Sequence, residues 1–200
     1  MDANKKQEQI EIDGTPKVLH QGHSPWIITF LRQPENDFFC LIDKEFLKDT
    51  FNQTDLRTTI PNFNRAMEEI LNEKNSNDKK AEEQEINIAS LEATAIEVYS
   101  MIHARYLLSA EGLSAMRSKY FDQIFGRCPR TLCDRQPLLP CGDSCTYGVS
   151  KVSLYCSRCN DVYRPTLKRH RHTDGAAFGP SFPHIFLVQY PDCVPFNKPV

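Results

Sequence analysis

No window of this 200-residue sequence collects the roughly 18 apolar residues that a membrane-spanning helix needs. The opening stretch MDANKKQEQIEIDGTPKVLHQGHSPW holds no apolar segment of the kind that forms a signal-peptide core. The expectation is a protein of the cytoplasm, the nucleus or both, and in that reducing setting eight cysteines argue against structural disulfides. Familiar catalytic layouts are missing as well: there is no glycine-rich phosphate loop, no G-x-S-x-G, and no kinase-type lysine with H-R-D and D-F-G. Cys40 and Cys193 stand alone, and Cys40 lies in an apolar run where burial leaves a thiol inert. An enzyme is not expected.

What is present is ordinary globular composition, 40% apolar and 25% charged, enough to bury a core without cross-links. The charge is unevenly spread. Residues 1–125 hold 14 Lys+Arg against 21 Asp+Glu, whereas 126–200 hold 10 against 5, and the change falls where the cysteines begin. The reading is a loose, polar arm over 1–25, a helical domain over 26–125, a small β-rich domain over 126–190 and a short tail over 191–200. The fold class expected is α+β, all-helical first and β-rich second.

Apolar spacing in the first half is helical. In DKEFLKDTFNQT, Asp43 can cap a short helix with Phe46, Leu47, Thr50 and Phe51 on one face. IPNFNRAMEEIL places Pro61 in a first turn and stacks Phe63, Ala66, Met67, Ile70 and Leu71. NEKNSNDKKAEEQE, 72–85, has one apolar member and reads as a solvated segment. Then Ile88, Leu91, Ala95, Val98, Ile102 and Tyr106 recur at spacings of three and four, predicting a buried helix of some twenty residues that stops near Gly112. A shorter helix follows, with Leu113, Met116 and Tyr120 inward. His103 lies in the long helix with no second histidine or carboxylate at i+4, so it reads as a satisfied structural residue. Arg105 is expected to cap carbonyls or to pair with an acid.

From 126 onward the apolar runs shorten. KVSLYC, DVYRP and HIFLVQY read as strands, with HIFLVQY the most buried. The cysteines here come as two close pairs: C-x4-C at Cys128 and Cys133, twenty-two residues, then C-x2-C at Cys156 and Cys159. Two such turns can bring four thiolates to about 2.3 Å from one zinc ion. The first pair is wider than the usual two-residue gap and Cys141 and Cys145 lie between the pairs as possible substitutes, but Cys156 and Cys159 have ideal knuckle spacing and Cys128 and Cys133 abut turn-forming residues, which favours the outer four. A redox use of Cys156 and Cys159 calls for a strand-to-helix setting in a βαβ unit, which the surrounding pattern lacks. Four cysteines fill a tetrahedron and leave no open position for water, so the expected Zn²⁺, one per chain, is structural.

With the metal bound, the formal +5 of this half falls to about +3. Arg127, Arg130 and Arg158 can serve as counter-charges beside the ligands. Lys168, Arg169, His170, Arg171 and His172 form a basic run with three readings: a solvated loop, a site for an anion or acidic partner, or a nucleic-acid contact. The last is the weakest, because no inserted helix or stacking aromatics accompany the run.

Several stretches together resemble the regulatory (beta) subunit of the protein kinase casein kinase II. They are the entry at Trp26, FFCLIDKEFLKDTFNQT, YSMIHARYLLSAEGLSAM, FGRCPRTLCDRQPLLP, KVSLYCSRCNDVYRP and RHRHTDGAAFGPSFPHIF, in family order over about residues 25–190. The resemblance implies a helical domain followed by a zinc ribbon, and a non-catalytic homodimer that bridges two catalytic kinase chains. Carried onto this chain, it implies dimer contacts at Pro129, Thr131, Leu132, Val162 and Tyr163.

Departures carry expectations of their own. The family's N-terminal phosphorylated serines are replaced by MDANKKQEQ, and its acidic loop by the mixed-charge segment at 72–85. The tail beyond Tyr190 is short for the segment that docks the catalytic subunit. This implies a divergent member, which holds the casein kinase II catalytic subunit weakly or forms mixed dimers with the ordinary regulatory subunit. A zinc-ribbon interaction protein with another partner is the second reading.

Overall fold

A computed structural model describes residues 9–12, 15–18, 24–73 and 88–196. A helical region comes first and a β-rich region carrying most of the cysteines second. Ahead of the helices, β1 (Gln9–Ile12) pairs antiparallel with β2 (Thr15–Val18) in the register Ile12↔Thr15, inside the segment that reads as a loose arm. The hairpin had a sequence signal, the Asp13-Gly14 dipeptide between two short runs with apolar members.

Helix α1 (Pro25–Leu31) starts where Ser24 Oγ accepts from Trp26 N at 3.2 Å and Pro25 occupies the first turn. It buries Ile27, Phe30 and Leu31. Helix α2 (Lys44–Lys48) follows Asp43 and buries Leu47, while Phe51, expected on the same inner face, is 81% exposed. The helix ends at Lys48, so the three-four spacing no longer governs where Phe51 faces. After α3 (Leu56–Thr59), α4 (Phe63–Leu71) buries Phe63, Ala66, Met67 and Ile70 as its periodicity predicts.

Helix α5 (Ile88–Tyr106) is the longest element and buries Ala95, Val98, Tyr99, Ile102, His103 and Tyr106. Ile88, expected inward, is exposed at its first position. The helix stops at Tyr106, six residues before Gly112. Ser109 caps α6 (Ala110–Phe121), its hydroxyl accepting from Gly112 N at 3.1 Å. Gly112 is therefore not a helix stop; it is required inside α6, because a Cβ there would lie 2.0 Å from Tyr106 O. Leu113, Met116 and Tyr120 face inward as expected.

Arg105 caps carbonyls, with Nη1 on Asn52 O and Nη2 on Thr54 O, both at 2.8 Å. His103 is fully buried. Cys40 N donates to its Nε2 at 2.9 Å, so Nδ1 must carry the proton and donate to Ala177 O at 2.8 Å. Burial pushes this imidazole down to about 3, against the pull of the Ala177 carbonyl, so the ring is neutral.

The second region holds a three-stranded antiparallel sheet in the order β3 (Leu139–Cys141), β4 (Ser153–Cys156), β5 (Asp161–Tyr163). KVSLYC and DVYRP thus contain strands, but HIFLVQY does not: Phe182–Gln189 is helix α7. Pro183 sits in its first turn, and Phe182, Pro183 and Phe186 are buried while Ile185 and Val188 are exposed. A continuous apolar run does not distinguish a strand from a half-buried helix by period, and the proline was the arbiter. The buried residues of both regions form one connected core, with Phe38 meeting Phe125 and Phe178, and Tyr120 meeting Phe186.

Candidate metal centre

The first cysteine pair is set by a chain that leaves α6 and turns back on itself. Arg127 bridges to Pro137, Cys128 N donates to Gln136 O at 2.8 Å, and Leu138 N donates to Gly126 O at 3.1 Å. Between them a 3-10 turn, Thr131–Cys133, is followed by Asp134 and Arg135 in the left-handed region, which reverses the chain. The second pair closes the β4–β5 hairpin: Cys156 ends β4, Asn160 adopts φ 52°, and Cys156 pairs with Asp161 in register. Cys159 N points back at Cys156 Sγ at 3.4 Å.

These two turns bring Sγ of Cys128, Cys133, Cys156 and Cys159 within 4.8 Å of one another. Cys128 lies 3.6 Å from Cys159, and Cys133 lies 3.5 Å from Cys156, sulfur to sulfur. Four sulfurs each about 2.3 Å from a central ion stand about 3.8 Å apart at tetrahedral angles. The donor set therefore fits a tetrahedral metal ion, and it is uniformly soft, with no carboxylate or imidazole in it. The cluster is buried apart from Cys159, which is half-buried.

Electrostatics point the same way. Burial, reinforced by the neighbouring thiols, raises the Cys133 thiol well above its ordinary range. Burial also pushes Cys156 up to about 11. At Cys159 burial again works upward, but hydrogen bonds from Tyr163 and the other three sulfurs outweigh it and bring the thiol down to about 7. Burial thus disfavours the thiolate at Cys133 and Cys156, while the surrounding donors favour it at Cys159. Four thiolates can coexist here only around a positive ion.

Of the three arginines read as counter-charges, Arg158 pairs with Asp134 at 2.6 Å and reaches Cys133 O at 3.4 Å. Arg127 donates to Gln123, and Arg130 is exposed. Cys141 and Cys145 stand outside the cluster. Cys141 lies in β3, with its sulfur on Ser153 O at 3.5 Å and its thiol pushed up to about 11 by burial; Cys145 is exposed. Cys40 and Cys193 are buried elsewhere.

The five residues read as dimer contacts flank the cluster on the surface. Pro129, Thr131 and Leu132 are exposed on the first turn, Leu132 by 61%, and Val162 on β5 is 50% exposed. Tyr163 is half-buried, and the neighbouring sulfurs of Cys159 and Cys128 push the titration of its hydroxyl upward. That contact with the sulfurs had no signal in the sequence beyond a position four residues after Cys159. A further tie was equally silent: Gln136 Nε2 donates to Tyr120 Oη at 2.7 Å, joining the first turn to α6.

A family profile described as "Casein kinase II regulatory subunit" matches residues 25–199. "Casein kinase II subunit beta" of Dictyostelium discoideum is 39% identical over 181 residues, covering 90% of this chain and 66% of the relative. "Casein kinase II subunit beta'" of Drosophila melanogaster is 42% identical over 180 residues, covering 89% and 80% respectively. "Casein kinase II subunit beta" of Schizosaccharomyces pombe is 42% identical over 167 residues, covering 84% and 70%.

Proposed function

Because the chain belongs to the casein kinase II regulatory subunit family, a family without catalytic activity of its own, we propose that it binds the kinase's catalytic subunit and modulates its activity and substrate choice. The observation that carries the physical part of this reading is the closed set of four cysteines. In this reading Cys128, Cys133, Cys156 and Cys159 hold one Zn²⁺ per chain, which supplies structural cross-linking and offers no open position for chemistry.

The metal-stapled turns then serve as a homodimer interface. Leu132 and Val162 are exposed apolar side chains beside the sulfurs, and a small sheet has too little interior to bury them alone. A symmetric dimer covers both and places two catalytic chains on one scaffold. The same surface accommodates a mixed dimer with another regulatory subunit. The place of action is the cytoplasm, the nucleus or both.

The test is a titration of purified casein kinase II catalytic subunit with this protein, read by analytical ultracentrifugation beside a kinase assay. A stable complex containing two chains of each kind, with altered activity, supports the proposal. A free dimer with unmoved kinase activity sinks the kinase part of it and leaves a zinc-ribbon protein that pairs with family members or with another partner.

A further inference from the structure

The basic stretch at 164–173 has no part in the function proposed above, and its structure separates two kinds of cation. Lys168–His172 form a single 3-10 turn. Two members of the turn face the helical region. His170 is buried against the ring of Phe38 at 4.1 Å, and Arg169 reaches Asp37 Oδ2 at 2.9 Å and Pro34 O at 3.0 Å. These contacts hold the turn in place and occupy the Asp37 carboxylate that confronts it.

Three further cations, Arg164, Lys168 and Arg171, are exposed. Side chains at i and i+3 eclipse in a 3-10 turn, so Lys168 and Arg171 share a face. Arg171 Nε donates to Pro165 O at 3.0 Å and its Nη2 to Thr166 O at 3.4 Å, which lays the guanidinium over the residues next to Arg164. Arg164, Lys168 and Arg171 are all exposed, and no ion pair engages any of them among the described residues. Residues 164–173 carry four Lys+Arg, two His and no Asp or Glu. Of the other aspartates of this region, Asp134 pairs with Arg158, Asp192 with Arg117, and Asp174 with Lys151 and two backbone N–H groups, whereas Asp143 and Asp161 are exposed and Asp161 accepts from Val162 N. Leu167, 47% exposed, lies among the cations as an apolar neighbour.

We propose that Arg164, Lys168 and Arg171 form a docking surface for an acidic peptide segment, rich in Asp and Glu, of a protein brought to the kinase. The role of that protein as a substrate rests on the regulatory reading above; the docking surface itself does not. Three features favour an acidic peptide over a passive solvated loop. Lys168 and Arg171 share one face of the turn, the stretch 164–173 holds no carboxylate of its own, and Arg171 is already immobilised by two carbonyls, so little side-chain freedom is lost on binding. Nucleic acid fits less well. The aromatic neighbour on β5, Tyr163, is half-buried, and the stretch 164–173 carries no Phe, Tyr or Trp on which a base could stack.

The experiment uses the full chain loaded with zinc and a fluorescein-labelled Asp/Glu peptide containing one Leu, followed by anisotropy. Binding is expected at low salt and should weaken about tenfold between about 50 mM and about 300 mM salt. The double variant Arg164→Ala/Lys168→Ala should weaken it about fivefold or more. Arg130→Ala/Arg135→Ala, which removes two exposed cations from the first cysteine turn, should leave it unchanged. Equal losses in both variants, or no binding by the unaltered chain at low salt, would overturn the proposal. So would a single-stranded oligonucleotide that binds more tightly than the peptide and displaces it.

A second arm separates this proposal from the kinase reading. In complex with the casein kinase II catalytic subunit, Arg164→Ala/Lys168→Ala should raise KM for an acidic protein substrate and leave turnover of a short neutral peptide unmoved. Failure of the chain to bind the catalytic subunit would refute the regulatory reading, while the anisotropy comparison still decides the docking surface.

Discussion

Lowering the pH should unfasten this protein through one imidazole. His103 accepts from Cys40 N and donates to Ala177 O, and it holds both bonds only as the neutral Nδ1–H tautomer. Its folded value is about 3, against 6.5 in an open chain. The unfolded chain therefore binds one more proton than the folded chain between those values, and stability rises with pH across that window. Starting from neutrality, this single group should remove about 1.3 kcal/mol between pH 7.0 and 5.5, with a limiting slope of about 1.4 kcal/mol per pH unit. His170 is also depressed by burial and adds in the same direction.

The assay is urea unfolding at several pH values for the zinc-loaded protein and for His103→Leu. At pH 7 the variant should be less stable by about 2–5 kcal/mol, since Cys40 N–H and Ala177 C=O lose their buried partner. The gap should then narrow by about 1.3 kcal/mol on going to pH 5.5, because the variant has no proton to take up at this position. Proton competition at the sulfurs and titration of His170 are common to both proteins and cancel in the difference. A gap that stays constant with pH would refute the linkage, whatever the size of the gap itself.

Other expectations can be checked with simpler measurements. Cys156→Ser should reduce bound zinc from one per chain to none and lower the unfolding temperature, as chelator should for the unaltered chain; full zinc content in the variant would remove Cys156 from the site. Gly112→Ala sets two effects against each other: alanine favours a helix by about 1 kcal/mol, but a Cβ 2.0 Å from Tyr106 O forces a backbone shift. The clash should win and cost about 1–3 kcal/mol in thermal unfolding, so a variant as stable as its parent would contradict the packing. If the chain pairs as proposed, Leu132→Asp with Val162→Asp should leave zinc content and helicity intact and convert that dimer to monomer in sedimentation; a dimer persisting in the variant would place the interface elsewhere.

Legibility followed the physics of each segment. In α4, α5 and α6 the inward residues repeat at three and four, and apart from Ile88 at the start of α5 the expected inward residues are buried or half-buried, from Phe63 to Tyr120. The boundary between α5 and α6 was misplaced at Gly112, because a glycine within a periodic run reads as a stop. Here its meaning is a close backbone approach visible only in three dimensions. HIFLVQY failed for a different reason: its apolar residues are continuous, so period carries no information, and half of them turn out to face outward. The sulfur cluster was legible because ligand spacing is local, a property of two turns. Its links to Tyr163, and through Gln136 to Tyr120, are long-range or side-chain-specific and left no pattern to read.

Those same links decide how far the metal's influence should extend. Cys128, Cys133 and Cys156 are themselves part of the connected core, alongside Leu138, Leu154 and Phe186. The first cysteine turn is tied to α6 through Gln136 and Tyr120, and Tyr120 packs on Phe186 of α7 while its hydroxyl also reaches Cys193 O at 3.4 Å. A ribbon that hung from the helical region by a linker would lose only its own order on zinc removal. In this arrangement the four sulfurs share a wall with α6 and α7, so vacating the site leaves buried thiols facing the side chains that position both helices. Loss of the ion should therefore loosen α7 and the C-terminal half of α6 together with the cysteine turns, whereas α4 and α5, which pack on each other, keep their own contacts.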